Sequence, residues 1–589
     1  MSAEEKTCQH CARPFAIEPE DFDFYSELRV PAPTWCPECR IIRRLSWRNT
    51  RILYKRPCDV PGHSELLISN FSPESMMPVY DQMSWWSDAW DPLSYGQNYD
   101  FNTPFFEQWR DLFYRVPQPN LTNMNPIASD YVNFTLNSKE CYLLFSGTEN
   151  EKCLFGTQLF RCKESCDIEY SRECILCYEC VNCERCYRVT FSQDAYDCMD
   201  SAFLIDCKNC RSCFGCVGLR NKAYCLFNKQ LKKEEYEQQI KKFSGSFTAM
   251  LEARQTFERL SGIRKYAHVI SSQNVSGDYI KNSKNCQNCF DVVLSENSKY
   301  LFSSYGGGTF ASYDISVGLR AEFSYEILAG GEGNRNRFSA ALHECTDVQY
   351  VYLCFASSHL FGCVGLRNKH YCILNKQYTK EAYEALVPKI IEHMNRAPYR
   401  DSRGTTYTYG EFFPSELSPF AYNETIAQEH FPLTRENAGT QGFRWKDSEQ
   451  KLRAITMKNN AIPDRIDAVS DTILRHVIEC ADHGQCLHQC TGAFQLIPQE
   501  LAFYRQMNIP LPRFCPHCRH GARIAAKNPQ KLWKRSCQCA GTNSENALYH
   551  NGAPHTHGTN ACLKTFETSY TPDRPETLYC ESCYQTEIV

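Results

Sequence analysis

Short apolar runs recur along residues 131–394 about every nine to fourteen residues, with Asn, Ser, Gly and Asp between them. Examples are CYLLF from Cys141, CDIEY from Cys166 and VQYVYLCF from Val348. Many short strands at such a spacing predict an all-β structure. Their near-regular recurrence favours the stacked coils of a solenoid or β-helix, and a pair of β-sandwiches is the alternative.

One segment of this region occurs twice. Residues 214–230 (FGCVGLRNKAYCLFNKQ) and 361–377 (FGCVGLRNKHYCILNKQ) are identical at 14 of 17 positions, with an offset of 147. A long match at one fixed offset indicates an internal repeat. The core is therefore predicted to consist of two copies of one β repeat, at residues 131–260 and 261–394.

Helical periodicity follows each repeat. Residues 231–243 and 379–394 are rich in helix formers and are expected to cover the open edge of each stack. The polar stretch 395–463 is expected to be a linker. An amphipathic helix, Asp464–Cys480, is predicted to lead from it into the last domain.

Residues 85–130 are aromatic and rich in turn residues, and they precede the first repeat. Pro104–Val116 is predicted to be a short helix, because it begins with proline and a second proline follows it. So many aromatic side chains indicate a connector that is packed against the core.

Composition narrows the class of protein. A chain of 589 residues is expected to hold several domains. The sequence shows neither a basic-then-apolar leader nor an apolar run of membrane-spanning length, which predicts a cytoplasmic protein without a membrane partner. A reducing compartment disfavours disulfides, so the CxxC pairs among the 36 cysteines are expected to bind metal or to carry out redox chemistry. Export by an unrecognised route, with many disulfides, is the alternative. With a net charge of −4, any nucleic-acid site must be local.

The N-terminal domain, residues 1–84, contains two CxxC pairs, Cys8 with Cys11 and Cys36 with Cys39. Two such pairs bring four thiolates to one tetrahedral zinc ion. The spacer between the pairs is longer than in most zinc ribbons, but the paired spacing is specific. The sequence therefore predicts a zinc ribbon or treble clef here.

The C-terminal domain, residues 464–589, repeats this pattern at an offset of 479. Leu487 stands where the counterpart of Cys8 is expected, so its neighbour Cys486 is assigned as the ligand. Cys480 and His483 are competitors for this position. The predicted ligands of the first C-terminal site are Cys486, Cys490, Cys515 and Cys518.

A second site is predicted further along each domain. The C-terminal ligands are Cys537 (with Cys539 as the alternative), Cys562, Cys580 and Cys583. The N-terminal copy keeps Cys58 and His63 but has Asp81 and Ser84 in place of the last two thiols. We therefore expect the N-terminal copy of this site to bind no metal, and the whole chain to bind about three zinc ions.

The repeats hold cysteines at two spacings. Four pairs correspond at the offset of 147 and recur every nine residues: Cys198/Cys345, Cys207/Cys354, Cys216/Cys363 and Cys225/Cys372. They are interpreted as small buried hydrophobic residues. The first repeat adds a run of period three from Cys174 to Cys186. This run has three possible interpretations, namely buried structural thiols, a further zinc site or an iron–sulfur cluster.

A basic run follows each CPxCR motif. The residues are Arg40, Arg43, Arg44, Arg48, Arg51, Lys55 and Arg56 in the N-terminal domain, and Arg519, Arg523, Lys527, Lys534 and Arg535 in the C-terminal domain. Ile41, Leu45 and Ile52 are expected to form the buried side of a helix, which leaves most arginines exposed. Such a surface predicts nucleic-acid binding, with RNA favoured. The alternatives are a solvated face that balances the thiolate charge, or contact with an acidic protein surface.

The motifs CPxCR…LYKR, the doubled FGCVGLRNKxYC, EFFPxxLSPFxYNET and the final YCxxCY carry a resemblance over nearly the whole chain. They resemble large multi-zinc-ribbon proteins of candidate-phyla bacteria. The resemblance implies metal binding and no established activity. Members of that group have cysteines at the positions of Pro61, Asp81 and Ser84, which supports the loss of the N-terminal copy of the second site.

These observations predict a mainly β protein, with a duplicated solenoid-like core between zinc modules at both termini. The first functional hypothesis is a zinc-binding scaffold whose basic segments bind RNA or a ribonucleoprotein. The second is a protein–protein interaction scaffold. The third is an iron–sulfur or redox enzyme that uses Cys174–Cys186. We find no nucleotide-binding glycine loop, catalytic carboxylate pair or serine triad motif, so the sequence favours a non-enzyme.

Overall fold

The computed structural model describes residues 3–260, 262–304, 307–447 and 454–588. The chain forms two compact units, and each unit combines distant segments. Unit 1 consists of Met1–Leu121, Ala267–Lys446 and Gln530–Leu532, and unit 2 of Thr122–Tyr266, Asp447–Pro529 and Trp533–Val589. The N-terminal module therefore shares a unit with the second β repeat, and the C-terminal module shares a unit with the first.

Each unit contains a stack of parallel coils, which we name the first coil stack (residues 122–230) and the second coil stack (residues 269–377). Most strand residues pair in parallel with the residue twelve positions later, as Tyr187 does with Met199 and Tyr325 with Arg337. This stacking confirms the predicted solenoid-like core.

The coils have sides of three residues. Every third residue along most of the first coil stack has a left-handed φ, as at Asn137 (52°), Glu140 (53°) and Leu143 (49°). The next residue in each case is buried, as Cys141 and Leu144 are. A twelve-residue coil with a corner at every third residue has four sides, so inward positions recur with period three. The cysteine run of period three follows from this geometry.

Thiols line the interior of both coil stacks and satisfy main-chain carbonyl groups there. Cys198 Sγ donates to Cys207 O (3.5 Å), Cys207 Sγ to Cys216 O (3.5 Å) and Cys216 Sγ to Cys225 O (3.6 Å). In the second stack, Cys345 Sγ donates to Cys354 O (3.3 Å). The nine-residue recurrence of the shared cysteines is therefore a ladder of thiol–carbonyl hydrogen bonds in the core.

The strands are short. Those of the first coil stack are Asn123–Met124, Asn133–Leu136, Phe145–Thr148, Cys166–Glu169, Tyr178–Val181, Tyr187–Thr190, Gln193–Tyr196, Met199–Lys208, Phe214–Val217, Cys225–Leu226 and Lys229–Gln230. Those of the second are Val269–Ile270, Gln273–Lys281, Lys284–Val293, Glu296–Lys299, Phe302–Ser304, Tyr313–Ser316, Ala321–Glu322, Tyr325–Gly330, Gly333–Asn334, Arg337–His343, Cys345–Gln349, Tyr352–Phe355, Ser358–Phe361, His370–Ile373 and Lys376–Gln377.

Small two-stranded sheets build the rest of each unit. In unit 1 the pairs are Glu4–Thr7 with Pro14–Ile17, Tyr54–Pro57 with Leu66–Ser69, Val79–Tyr80 with Gln118–Pro119, and Tyr399–Arg400 with Thr406–Tyr407. In unit 2 they are Ile263–Lys265 with Thr577–Tyr579, Ile478–Glu479 with Ala493–Phe494, and Trp533–Ser536 with Thr565–Thr568.

The helices lie outside the coil stacks. The α-helices are Pro19–Leu28, Pro37–Leu45, Gln82–Trp86, Phe105–Arg115, Lys233–Ile240, Phe247–Glu258, Lys380–Arg396, Ile426–His430, Arg435–Thr440, Pro498–Met507, Pro516–Ala526 and Glu581–Ile588. The 3-10 turns are Pro92–Tyr95, Lys241–Phe243, Ser415–Leu417, Tyr422–Glu424, Asn459–Ala461, Ile466–Ala468 and Asp471–Arg475. Every helix in the described parts of the chain is too short or too polar to cross a membrane.

The two expected capping helices are present. Each follows the terminal hairpin of its coil stack, and each packs a tyrosine against the last coil. The ring centroids of Tyr236 and Tyr224 lie 5.9 Å apart, and those of Tyr383 and Tyr371 lie 5.8 Å apart. The aromatic connector also contains its predicted helix, Phe105–Arg115, whose Trp109 is fully buried and donates to Tyr350 O (3.0 Å).

The predicted helix Asp464–Cys480 is wrong. The segment forms 3-10 turns and a short strand, because its beginning is held in extended pairing with another element. Arg465 bridges to Ser246, and Asp464 O accepts the Phe247 N–H (2.8 Å). The Asp464 carboxylate also accepts from Thr248 N (2.8 Å) and so caps the helix Phe247–Glu258. The apolar residues that suggested a helix are buried from these turns instead.

Much of the expected linker 395–463 is ordered in unit 1. Phe412 and Phe413 are fully buried, and Trp109 lies 4.4 Å from Phe413 between ring centroids. This segment also supplies Glu411, which lies beside an arginine of the N-terminal module. Residues 448–453 of the expected linker lie outside the described residues.

Candidate metal centres

The four N-terminal cysteines converge as predicted. Cys8 follows the strand Glu4–Thr7, Cys11 lies in the hairpin turn, and Cys36 and Cys39 begin the helix Pro37–Leu45. Their sulfur atoms lie within 4.8 Å of one another. The Cys36 N–H donates to Cys8 Sγ (3.2 Å), and the Cys36 and Cys39 thiols lower the pKa of Cys8 well below its ordinary value. A knuckle and a helix N-terminus thus present a set of four cysteines of the kind that binds a tetrahedral metal ion.

In the first C-terminal centre, Cys480 joins Cys490, Cys515 and Cys518 in a converging set of four cysteines. The predicted ligand Cys486 belongs to an overlapping set with Asp482, Cys490 and Cys518. Cys480 directly follows the strand Ile478–Glu479, and its sulfur accepts the Cys515 N–H (3.2 Å), which is the role of Cys8 in the N-terminal module. The neighbouring Cys515 and Cys518 thiols lower the pKa of Cys480 to about 2. Cys486 Sγ lies 3.6 Å from Cys518 Sγ as a fifth thiol.

This geometry predicts different effects for two serine variants. Cys480→Ser is expected to lose one metal ion per chain, because it removes a ligand that follows the strand and accepts the knuckle N–H. Cys486→Ser is expected to keep that ion. Metal content by plasma mass spectrometry of both full-length variants checks this. Loss of metal in Cys486→Ser with retention in Cys480→Ser would return the site to the sequence-based assignment.

The second C-terminal centre gathers Cys537, Cys562, Cys580 and Cys583 within 4.8 Å. It repeats the same construction, because Cys537 follows the strand Trp533–Ser536 and accepts the Cys580 N–H (3.2 Å). Burial raises the pKa of Cys580, but hydrogen bonds from the Ser582 hydroxyl and the Cys583 backbone outweigh it and bring the pKa to about 7. Cys539, the sequence-based alternative to Cys537, belongs to a neighbouring group.

The N-terminal counterpart of this centre has the same backbone and weaker donors. Cys58 Sγ lies 3.7 Å from His63 Nδ1 and 3.9 Å from Asp81 Oδ2. Asp81 is the N-cap of the helix Gln82–Trp86 and accepts the Ser84 N–H (2.9 Å). This capping bond occupies one of its carboxylate oxygens. The expectation that this copy binds no metal stays a prediction.

Most of the residues predicted to contact nucleic acid lie inside the protein. Buried residues are Arg40, Arg43, Arg44, Arg48, Arg51, Arg56, Arg519, Arg523 and Lys527. Lys55 and Lys534 are exposed, and Arg535 is half-buried. The expectation of an exposed basic face is therefore wrong at nine positions. The arginines, rather than the isoleucines, form the buried side of the helix Pro37–Leu45, because carboxylates of the coil stack receive them.

We call Pro37–Leu45 docking helix 1, since its arginines pair with carboxylates on the outer side of the second coil stack. The ion pairs are Arg40–Asp314 (2.8 Å), Arg44–Asp314 (3.0 Å), Arg43–Glu326 (2.8 Å) and Arg43–Glu411 (2.6 Å). The Arg43 guanidinium also stacks on the Trp35 ring, 4.4 Å from its centroid. Burial raises the pKa of Glu326, while Arg43 and Arg44 oppose that shift.

Docking helix 2, Pro516–Ala526, repeats this contact in unit 2 with the first coil stack. Its pairs are Arg519–Glu500 (3.0 Å), Arg519–Asp167 (3.2 Å), Arg523–Asp167 (2.7 Å), Arg523–Glu169 (3.2 Å) and His520–Glu169 (2.7 Å). Arg519 and Arg523 correspond to Arg40 and Arg44 at the module offset of 479, and Asp167 corresponds to Asp314 at the repeat offset of 147. The two units are therefore built around the same two-arginine, one-aspartate contact.

The run Cys174–Cys186 lies on inward positions of the first coil stack. Cys174, Cys177, Cys180 and Cys183 occupy four successive inward positions, and each donates to main-chain carbonyl groups at 3.3–3.6 Å. The pKa shifts within the run differ in direction. Burial raises the pKa of Cys177 well above its ordinary value, whereas at Cys180 burial is outweighed by hydrogen bonds with Cys177 and Cys183, which bring the pKa to about 5. The thiol–carbonyl hydrogen bonds, rather than the pKa values, match the structural-thiol interpretation of this run.

Cys177→Ser is therefore expected to keep the wild-type metal content and to show no visible absorbance, because serine hydroxyls already occupy such inward positions in the same stack. Cys177→Leu is expected to lower the free energy of unfolding of unit 2 by about 1–3 kcal/mol through overpacking. Elemental analysis, absorbance spectra and urea unfolding test both variants. Iron in the wild-type protein that disappears in Cys177→Ser would instead indicate a cluster.

Comparisons with known proteins add no family. No protein-family model matches the chain, and no curated protein matches it. One similar solved structure is a protein proposed to be an acetyltransferase from Desulfovibrio desulfuricans G20, with 10% identity over 49% of this chain and 77% of that chain. Its TM-score of 0.11 is too low to carry any argument about fold or activity.

Proposed function

We propose that this chain is a zinc-dependent scaffold protein that presents two rigid units to protein partners. The observation that carries the proposal is the packing of each docking helix against the outer side of a coil stack. In each unit a cysteine centre holds the N-terminal turn of the docking helix. Arginines further along the same helix are buried against carboxylates. Metal binding therefore positions the helix that packs against the coil stack.

Zinc is the metal that we propose for these centres. A closed set of four thiolates from two knuckles matches structural zinc, which leaves no position open for a substrate. All 36 cysteines are free of disulfides, which fits a reducing compartment such as the cytoplasm. The donor set and the hydrogen bonds from backbone N–H groups to sulfur both support this choice.

The outer surface favours protein over nucleic acid as the partner. Of the twelve residues expected to bind nucleic acid, Lys55, Lys534 and Arg535 retain exposure. Charges on the first coil stack are paired in ladders, as Lys139–Glu151 (3.1 Å) and Arg185–Asp197 (2.6 Å) are. Alternating charge produces no continuous positive field along a strand of phosphates.

Binding to a labelled mixed-sequence single-stranded RNA separates the two partner classes. We expect the zinc-loaded full-length protein to show no binding at 50 or 200 mM salt by fluorescence anisotropy. The matched variant carries Lys55→Glu, Lys534→Glu and Arg535→Glu, and its anisotropy is expected to equal that of the wild type. Binding that weakens steeply with salt and is lost in this variant would overturn the proposal in favour of RNA.

Affinity purification of the tagged full-length chain tests the positive half of the proposal. A protein partner in fixed stoichiometry is expected with the wild type and with Cys486→Ser. It is expected to be lost with the pair Cys36→Ser and Cys515→Ser, because these changes release both docking helices. A partner retained by the latter pair would show that the metal-fixed units do not create the binding surface.

A further inference from the structure

The C-terminal module contains twenty residues, 540–559, that its N-terminal copy lacks. This insertion places two histidines beside Cys539, which is itself buried. His555 Nδ1 lies 3.5 Å from Cys539 Sγ, and His557 Nε2 lies 3.3 Å from Cys583 Sγ. The donor atoms of Cys539, His555, His557 and Cys583 all lie within 4.8 Å of one another. A second tetrad therefore adjoins the Cys537 centre, and the two share Cys583.

The remaining ring nitrogen of each histidine already has a partner. His555 Nε2 contacts Glu587 Oε1 at 2.9 Å, and both side chains are 1% exposed. His557 Nδ1 donates to Asn560 O at 2.8 Å. A metal-bound histidine almost always donates its other N–H to a carboxylate or a backbone carbonyl, which fixes the tautomer and turns the free nitrogen toward the metal. Both histidines show this arrangement, with Nδ1 of His555 and Nε2 of His557 left for a metal.

A hydrogen-bond network fixes the insertion in this position. Asn551 Nδ2 donates to Cys539 Sγ (3.3 Å), and Asn551 Oδ1 accepts from the Tyr579 hydroxyl (2.8 Å). Glu587, in the last turn of the helix Glu581–Ile588, also accepts the Gly552 N–H (2.8 Å). The loop, the strand before Cys580 and the final helix are thus tied together around the four donors.

We propose that Cys539, His555, His557 and Cys583 bind a second zinc ion, and that the Cys583 thiolate bridges it to the zinc of Cys537, Cys562 and Cys580. Each metal then has four protein ligands, so the cluster is closed and structural rather than catalytic. Five thiolates and two neutral imidazoles balance two divalent ions to a net charge of −1, compared with −2 for a single Zn(Cys)4 centre. The bridge therefore reduces the charge that this buried site must hold.

The inference rests on the zinc chemistry of the proposed function and adds a fourth metal to the chain. Native mass spectrometry of the full-length protein is expected to show four zinc ions in the wild type and three in the double variant His555→Ala/His557→Ala. The control is His550→Ala in the same insertion, which is expected to keep four because His550 is exposed and contacts Asn543. Three ions in the wild type, unchanged in the double variant, would overturn the proposal.

X-ray absorption at the zinc edge of the wild-type protein tests the proposal even if the variant does not fold. The wild type is expected to show a nitrogen contribution beside sulfur, and the double variant is expected to lack it. A wild-type spectrum with sulfur ligands alone overturns the shared cluster. The scaffold proposal fails in a different way. In that case the RNA-binding assay or the affinity purification contradicts it, while the four zinc ions and the nitrogen signal persist.

Discussion

Chelating the metal is expected to unfold both cysteine modules and to leave the two coil stacks largely β-structured. Structural zinc in such modules contributes on the order of 10 kcal/mol of folding free energy per site, which exceeds the contribution expected from the docking contacts. The coil stacks have continuous cores and main-chain ladders that do not involve the metal centres. Far-ultraviolet circular dichroism with and without a strong zinc chelator should therefore retain its β signal and lose helical signal.

Limited proteolysis locates this change within the chain. New cleavage is expected at docking helices 1 and 2 after chelation, and protection of residues 131–230 and 309–377 is expected to persist. Addition of zinc to the chelated protein should restore the original pattern, which distinguishes unfolding from irreversible damage. Uniform digestion of modules and stacks together would show that the stacks need the metal centres for their own folding.

Arg43→Met is expected to lower the free energy of unfolding of unit 1 by about 3–5 kcal/mol, because it leaves two carboxylates buried without their shared cation. Arg43 has no exposed surface and lies between Glu326 and Glu411. Trp533 is the one tryptophan of unit 2, and the other seven belong to unit 1. Urea unfolding followed by tryptophan fluorescence therefore reports mainly on unit 1.

Two further variants give this measurement its controls. Arg110→Ala removes a partly exposed arginine of unit 1 that pairs with Asp111 at the surface, and it is expected to change the free energy of unfolding by less than about 0.5 kcal/mol. Adding Glu326→Gln to Arg43→Met is expected to recover part of the loss, since it removes one of the two carboxylate charges that Arg43 balances. An effect of Arg43→Met no larger than that of Arg110→Ala would show that the docking contact contributes little.

The sequence predicted what is local and repetitive. The apolar runs and the doubled FGCVGLRNK motif predicted the duplicated coil core, and two CxxC pairs predicted the centre at Cys8. The centre with Cys562, Cys580 and Cys583 was predicted from the match between the two terminal modules, which left Cys537 and Cys539 as alternatives. The run from Cys174 was visible as period three, but its cause was not. A pattern of three-residue sides with left-handed corners has no counterpart in ordinary strands or helices, whose periods are 2 and 3.6.

The misassignments have specific physical reasons. Arginine is rarely fully buried, so Arg40 and Arg44 predicted a surface until Asp314, far away in the chain, was seen to receive them. The sequence signal for this contact is a pair of offsets. Arg40 corresponds to Arg519 at the module offset of 479, and Asp167 corresponds to Asp314 at the repeat offset of 147. A fixed offset of 479 between the modules favours Cys486 over Cys480 as the ligand, because Cys8 lies three residues before Cys11 whereas Cys480 lies ten residues before Cys490.

Because each unit combines distant segments, the residues of a docking contact are synthesised at different times. Arg40 and its partner Asp314 are 274 residues apart, and the module at the carboxyl end joins a coil stack made long before it. At the usual pace of translation, of order 5–20 residues per second, the N-terminal arginines precede their carboxylates by roughly 14–55 s. During that interval they form an uncovered cationic strip on the nascent chain, beside the RNA of the ribosome. Early binding of a metal ion to the N-terminal cysteines would keep docking helix 1 folded until the second coil stack has been synthesised.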